Sequence, residues 1–428
     1  MATSTLLSRK LIKLLSPTPP SLRLYNLSLM DCTNPPQYSP VAFFYPKPQN
    51  CNKIQISQIL ENSLSKVLTS YYPFAGRIKD NNTYVECNDT GAGAEYLNVR
   101  ISCPMSEILD HPYNDVVDVV FPQDVPWGNA LNRSPLVLQL SHFDCGGIAV
   151  SICLSHKLAD GYSLHKFVSD WAATARQVDF KPSSQFNAST FFPLKDDPPV
   201  FTPINAPSES RRHVSRIYNF SSSSLGRLKD IVAVQNPTRI EVATALIHKC
   251  GVNASMQNSG VFKPTLLSHA MNLRPPIPLN TIGNATCLYS SKAMMEDDIK
   301  LSNYVARLRK AKQQVRDELK SLDMNQTVPY AFGKVKELVG MMERDIFDIY
   351  ICTSVCNIEL YKITNFGWGS PIRVTQPGYP MKKSIVILDD PSGKGINALI
   401  TLPEDDMSIF HNNKELLDFA SPIVESTK

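Results

Sequence analysis

Apolar residues recur at helical spacing over Ile56, Ile59, Leu60, Leu64, Val67 and Leu68, which predicts an amphipathic helix laid on a sheet. Two apolar runs, 136–140 and 148–154, flank Asp144-Cys145-Gly146-Gly147 and read as a hairpin. A second helical stripe follows over Leu164, Phe167, Val168, Trp171, Ala172 and Ala175, with Asp160 or Ser163 available to cap its start. Residues 182–210 break the rhythm. They hold Pro193, Pro198, Pro199, Pro203 and Pro207 without periodicity and read as a crossover. Strands and helices then resume. Thr238-Arg239-Ile240-Glu241 is a capping box opening a helix through Ala245 and His248, residues 266–273 form a strand that delivers Arg274, and residues 298–322 form a long helix.

At 428 residues the chain is long for a single core. The expected division is residues 1–181, a linker over 182–212, and residues 213–428. The fold class is α/β. A formal charge of +4 gives no reason to invoke nucleic acid. No run reaches the roughly 18 apolar residues of a membrane span. Lys13 and Pro17 interrupt the apolar start too early for a signal peptide. Ten cysteines lack CxxC pairs or zinc spacing, so no metal is expected and the thiols read as reduced, in a cytoplasmic protein. Arg307, Arg309, Lys310, Lys312, Arg316 and Lys320 read as a solvated helix face, with a role toward a phosphorylated ligand as the alternative.

The densest chemistry lies in Ser155-His156-Lys157-Leu158-Ala159-Asp160-Gly161. It places a histidine at the exit of a buried strand, just before a helix. An imidazole with a pKa near 6.5 is largely neutral at cellular pH and suits a general base that deprotonates an attacking hydroxyl. The spacing alone is weak, since Asp falls four residues after about one histidine in twenty by chance. His111-Pro112-Tyr113-Asn114-Asp115 is a second match that follows no apolar strand and reads as a surface turn. On these residues alone, a hydrogen-bonded core histidine weighs about as much as a base. Gly161 permits close backbone approach beside the histidine. No Gly-x-Ser-x-Gly elbow is present, which weighs against a serine hydrolase. The start of the helix at Thr238, with Arg239, is a candidate for holding phosphates, because unpaired N–H groups and the helix dipole favour anions.

Further stretches extend the pattern: Ser16-Pro17-Thr18-Pro19, Tyr72-Pro73-Phe74-Ala75-Gly76-Arg77, Phe143-Asp144-Cys145-Gly146-Gly147, Met271-Asn272-Leu273-Arg274, Gly283-Asn284 and Asn365-Phe366-Gly367-Trp368-Gly369. Together with the His156 motif they make the chain resemble the plant BAHD acyl-CoA-dependent acyltransferases nearly end to end. The resemblance implies two similarly folded domains of mixed β-sheet with flanking helices, chloramphenicol-acetyltransferase-like, with the active-site channel between them. It implies a monomer that uses acyl-CoA as co-substrate and holds no permanent cofactor. The acceptor would be a small-molecule alcohol. The opening and the Ala-Asp-Gly-Tyr-Ser context look most like members that acylate sugar esters or alkaloid alcohols, with the sugar ester favoured. N-acylation of an amine is a third possibility, and an inactive binding protein of the same fold is the reading from another class. In the family the motif's Asp pairs with the arginine of Asn-Leu-Arg, here Arg274, so Asp160 is expected to hold the loop in place rather than to activate His156. The last motif is structural in the family, which gives that role to Asn365, Gly367 and Trp368. Two departures stand out. Asn365 replaces the family's Asp, and Thr364 is the extra residue before Phe366.

Overall fold

The computed structural model describes residues 2–49, 51–79, 83–89, 92–111, 114–176, 179–194, 212–378 and 383–423. Two mixed sheets carry the fold. The first runs, in spatial order, Ser4–Ile12, Ala94–Ile101, Leu136–Phe143, Ile148–Ser155, Tyr38–Tyr45 and Arg373–Thr375. The second runs Thr286–Ala293, Thr265–Asn272, Asp348–Ser354, Ser384–Asp389, Ile396–Pro403, His213–Phe220 and Ser421–Pro422.

The two halves repeat one plan. A strand leads to a long helix, and a later hairpin returns to pair its second strand with the first one. In the first half, Tyr38–Tyr45 precedes the helix Lys53–Leu68 and pairs antiparallel with Ile148–Ser155. In the second, His213–Phe220 precedes the helix Arg239–Ser259 and pairs antiparallel with Ile396–Pro403. A helix follows each hairpin, Gly161–Ala175 in one half and Glu404–His411 in the other.

Both hairpin strands of the first half are buried at every position, so they sit in the middle of their sheet with cover on both faces. That is why their sequence shows apolar runs rather than alternation. The stripe over 56–68 buries Ile56, Leu60, Leu64, Val67 and Leu68 against this sheet, and Asn52 and Gln55 cap its start reciprocally. Phe167 and Trp171 of the next helix join the same core.

Two features depart from the sequence pattern. The helix expected over 298–322 begins at Leu301, after a separate short turn over Glu296–Ile299. Its charged face is partly engaged: Arg307 pairs with Asp298, and Arg309 pairs with Glu241 at 2.7 Å. Arg373–Thr375, from the second half of the chain, adds an edge strand to the first sheet beside residues 42–44. The early part of the crossover is packed rather than loose. Phe186 inserts among Tyr25, Tyr71, Tyr72 and Phe74, and Gln185 is hydrogen-bonded to both Asn280 and Ile282. Residues 195–211, with Pro198, Pro199, Pro203 and Pro207, lie outside the described residues. Among the described residues no helix is long and apolar enough to cross a membrane, and no group of side chains able to hold a metal ion occurs.

Burial of histidines gives the fold an acid-sensitive window. Desolvation lowers His142 and His165 to about 4, and His248 and His269 to about 3. The unfolded chain binds these protons near pH 6.5. Below that value the unfolded state therefore gains protons that the folded state refuses, and stability falls as pH falls. Each histidine contributes up to about 1.4 kcal/mol per pH unit inside its window. Thermal melts between pH 7.5 and 4.5 should show a progressive loss starting near 6.5. A melting temperature constant down to pH 4.5 would contradict this burial.

Candidate active site

The strand Ile148–Ser155 delivers His156 at its end, where the His156 N–H donates to the Gln37 carbonyl at 2.7 Å. Asp160 then caps the helix Gly161–Ala175, its Oδ1 accepting from the Ser163 N–H at 2.8 Å. Gly161 opens that helix against the second sheet. A methyl group there would meet Val355 Cγ1 at 3.2 Å, a side chain from the other half of the chain.

Asp160 and Arg274 form a buried ion pair, Nη1 to Oδ2 at 2.8 Å, with both side chains almost fully enclosed. Arg274 uses all five of its N–H donors. Nε donates to the Thr281 carbonyl and Nη1 to Asp160 and Asn272, while Nη2 donates to the Gly283 carbonyl and Ser163 Oγ. Tyr162 covers the guanidinium, 5.0 Å from its ring centroid. Asp160 Oδ2 also accepts the Ala285 N–H at 3.0 Å. Burial alone would raise this carboxyl, but Arg274 and the amides of Ala285 and Ser163 outweigh it and hold Asp160 below the usual carboxylate range. No hydrogen bond joins Asp160 to the imidazole; the carboxylate is bonded to Arg274, Ser163 and Ala285 instead.

His156 is half-buried, and its Nδ1 is buried without a hydrogen-bond partner. Burial pushes its pKa below 6.5, opposed by its own main-chain carbonyl, Asp160, Asn284 and Asp31. The imidazole is therefore neutral at physiological pH, the form that accepts a proton. Lys157 is buried next to it, its Nζ donating to the Cys32 carbonyl at 2.8 Å, and burial lowers this amine to about 8.

Two residues outside the expected set join the site. Asn284 Nδ2 donates to the main-chain carbonyl of His156 at 2.8 Å and to Asp31 Oδ1 at 2.9 Å. Asp31 is fully buried on the short helix Leu29–Cys32. The Gly283-Asn284 pair was visible in the sequence, but nothing there tied it to His156. Asp31 carried only a local signal, a Ser three residues before an Asp, which marks a helix start.

The remaining candidates lie outside this network. Arg239 bonds the carbonyls of Gly393 and Gly395, pairs with Asp389, and donates to Asn357 Oδ1 at 2.8 Å. Thr238 and Glu241 complete the predicted capping box. The side chains expected to hold phosphates are thus engaged in the domain's own structure. Asn365 Oδ1 accepts from the N–H groups of Gly367 and Gly369 at 2.9 and 3.0 Å, and its carbonyl accepts from Arg176. Gly367 and Gly369 have φ of +116° and +103°, a conformation that favours glycine. Thr364 is buried, and its carbonyl accepts from Tyr45 Oη at 2.7 Å. Phe366 sits between Trp171 and Trp368, and Trp368 meets Tyr45 edge-on. The loop thus fastens the segment leading to Arg373–Thr375 onto the first core.

Asn365→Asp is expected to strengthen the two loop bonds, since charge-assisted bonds are about twice as strong as neutral ones. Thermal melts should rise by an amount equivalent to about 1 kcal/mol, with little change in single-turnover rate. A large rise in the chemical rate at unchanged stability would show that this loop acts on catalysis.

Comparison with known proteins supplies the family and the fold. A model described as the Transferase family matches residues 3–417. Acylsugar acyltransferase 3 of Solanum lycopersicum is 62% identical over 434 residues, spanning 100% of both chains. The crystal structure of vinorine synthase superposes with a TM-score of 0.83 at 28% identity, covering 99% of this chain and 100% of that one. TRI101 of F. graminearum, solved with coenzyme A and T-2 mycotoxin, shares the fold at a TM-score of 0.71 and 15% identity, covering 94% of this chain and 99% of that one. With its match running nearly end to end, the chain belongs to this transferase family, the plant BAHD acyl-CoA-dependent acyltransferases.

Proposed function

We propose that this chain transfers an acyl group from acyl-CoA to a hydroxyl of a sugar ester, with His156 as general base. The observation that carries the reading is a half-buried, neutral histidine whose neighbouring carboxylate is engaged by Arg274 instead of the imidazole. The acceptor class rests on the 62% identity to an acylsugar acyltransferase. In this mechanism Nε2 takes the hydroxyl proton as the oxygen attacks the thioester carbonyl. The tetrahedral oxyanion collapses, the C–S bond breaks, and the imidazolium returns its proton to the CoA thiolate. No enzyme nucleophile is required. Asp160, Gly161 and Arg274 hold the His156 loop against the second sheet. Asn365, Gly367 and Trp368 fasten the crossing segment.

We assign residues 1–181 and 213–428 to the two domains, joined over 182–212, with Arg373–Thr375 as the piece of the second that completes the first sheet. CoA would enter a channel between them as a co-substrate that leaves after each turnover. Ten free cysteines fit a reducing, cytoplasmic setting, and the enzyme is taken as a monomer acting on small molecules, without nucleic acid or membrane.

The test is purified protein incubated with a matrix of acyl-CoAs and acceptors. The acceptors are partially acylated sucroses and hydroxylated alkaloids, followed by mass spectrometry. The sugar-ester reading expects an ester product with acylated sucroses. Turnover confined to alkaloid alcohols would overturn the acceptor, and no thiol release with any pair would favour a binding protein.

A further inference from the structure

We infer that Asp31 is a positioning residue for acyl transfer, acting through Asn284 on the main chain that carries His156. The inference rests on His156 as the base, and it adds a residue outside both motifs. Asp31 Oδ2 accepts from the Ser28 N–H at 2.9 Å and from Ser28 Oγ at 2.7 Å. Its Oδ1 accepts from the Asn284 N–H at 2.8 Å and from Asn284 Nδ2 at 2.9 Å. An ionised carboxylate is acceptor-only, so four donors suit the charged form. Burial raises its pKa, and the Ser28 and Asn284 contacts oppose that rise.

Asn284 carries the influence onward. Both hydrogens of its amide go to oxygens, Asp31 Oδ1 and the His156 carbonyl, and this fixes which way the carboxamide points. Asn284 Oδ1 is then left buried without a hydrogen-bond partner, as is His156 Nδ1. The carboxamide lies close enough to the imidazole to favour its protonated form. With a proton on Nδ1, which the residue's own main-chain carbonyl and Asn284 favour, Nε2 is the basic nitrogen.

The same stretch is gripped from two sides. Asp31 takes the N–H of Asn284, and Asp160 takes the N–H of Ala285. Lys157 ties the residue after His156 to Cys32, the residue after Asp31. The charges around the imidazole are then Asp31 and Asp160, with Arg274 and Lys157 as their nearby cations. Asp31 is thus bonded into one unit with the loop that carries the base, although it lies far away in sequence.

A merely structural Asp31 would change stability and leave the chemistry of folded enzyme alone. The full-length enzyme would be assayed with acetyl-CoA and a partially acylated sucrose as wild type, Asp31→Asn, Asn284→Ala, the double variant and Thr33→Val. Asp31→Asn should lower kcat about 10- to 100-fold, the scale of a displaced catalytic group, with KM for acetyl-CoA little changed. The acid limb of its rate profile should move to lower pH, because a negative charge that favours the imidazolium is gone. The double variant should be no slower than the slower single variant. Thr33→Val removes a bond on the same turn, from its Oγ1 to the Met30 carbonyl, and should lower the melting temperature without changing kcat. Unchanged kcat in folded Asp31→Asn, or losses that multiply in the double variant, would overturn the inference. If Asp31→Asn does not fold, Asp31→Glu replaces it. That variant keeps the charge, so kcat should fall with the acid limb unmoved, and wild-type kcat would overturn the inference. His156→Ala in the same assay separates the two failures. An inactive His156→Ala beside an unaffected Asp31→Asn removes only the role of Asp31, whereas an active His156→Ala removes the base and this inference together.

Discussion

His156→Ala is expected to lower the rate of acyl transfer by about 10²–10⁴, the usual cost of losing a general base, while the folded state persists. The imidazole is half-buried, and its Nδ1 makes no hydrogen bond whose loss would weaken the fold. The local structure depends instead on the main chain of residue 156, which bonds Gln37 and Asn284 and stays in place in the alanine variant. His111→Ala is the matched control. It lies on the surface and has the same spacing to a following Asp, yet should leave the rate nearly unchanged. Steady-state kinetics and thermal melts on both variants decide the matter. Equal losses from both, or a retained rate in His156→Ala, would place the base elsewhere. Wild-type activity should also persist at pH values somewhat below 6.5, because burial lowers the pKa of His156 and protonation is what stops it acting as a base.

Arg274→Ala and Asp160→Asn should have the largest effects on stability. The pair is enclosed, so removing one partner leaves the other charge buried without its counter-ion, at a cost of about 3–5 kcal/mol. Arg274→Ala also removes the Nε donor from the Thr281 carbonyl and leaves the Gly283 carbonyl with Ser163 Oγ alone. Asp160→Asn loses the charge but keeps an oxygen for the Ala285 N–H, so its loss should be the smaller of the two. Both variants should retain measurable turnover under conditions where they are folded. A double-mutant cycle read by denaturant melts should show strong coupling, since the residues share one network. Asp160→Asn with no activity and an unchanged melting temperature would instead make Asp160 the catalytic partner of His156.

The sequence made local features legible where one element carries its own signal. The helix over 53–68, the hairpin ahead of His156 and the Thr238–Glu241 cap all follow from periodicity and turn chemistry within a few residues. The pairing of Asp160 with Arg274 was legible only through family resemblance, because 114 positions separate the two and neither has a local pattern that names the other. What stayed hidden depends on long-range packing. The edge strand Arg373–Thr375 is three residues long, too short for any period to register. Arg239 was a reasonable phosphate ligand at a helix start, but Asp389 and the carbonyls of Gly393 and Gly395 come from a distant turn that sequence could not bring beside it. Asp31 was hidden for the same reason, since its partner Asn284 lies in the other half of the chain.

The central claim is direct transfer from acyl-CoA to a hydroxyl, with His156 moving the proton and no group on the enzyme carrying the acyl chain. A single-turnover reaction with acetyl-CoA tests it most directly, following free thiol, ester product and the intact mass of the enzyme together, with and without a partially acylated sucrose. The account predicts equal amounts of thiol and ester when the acceptor is present, little thiol without it, and an enzyme mass that never changes. Thiol released without acceptor, with the enzyme heavier by one acetyl group, would show a covalent intermediate and contradict the account.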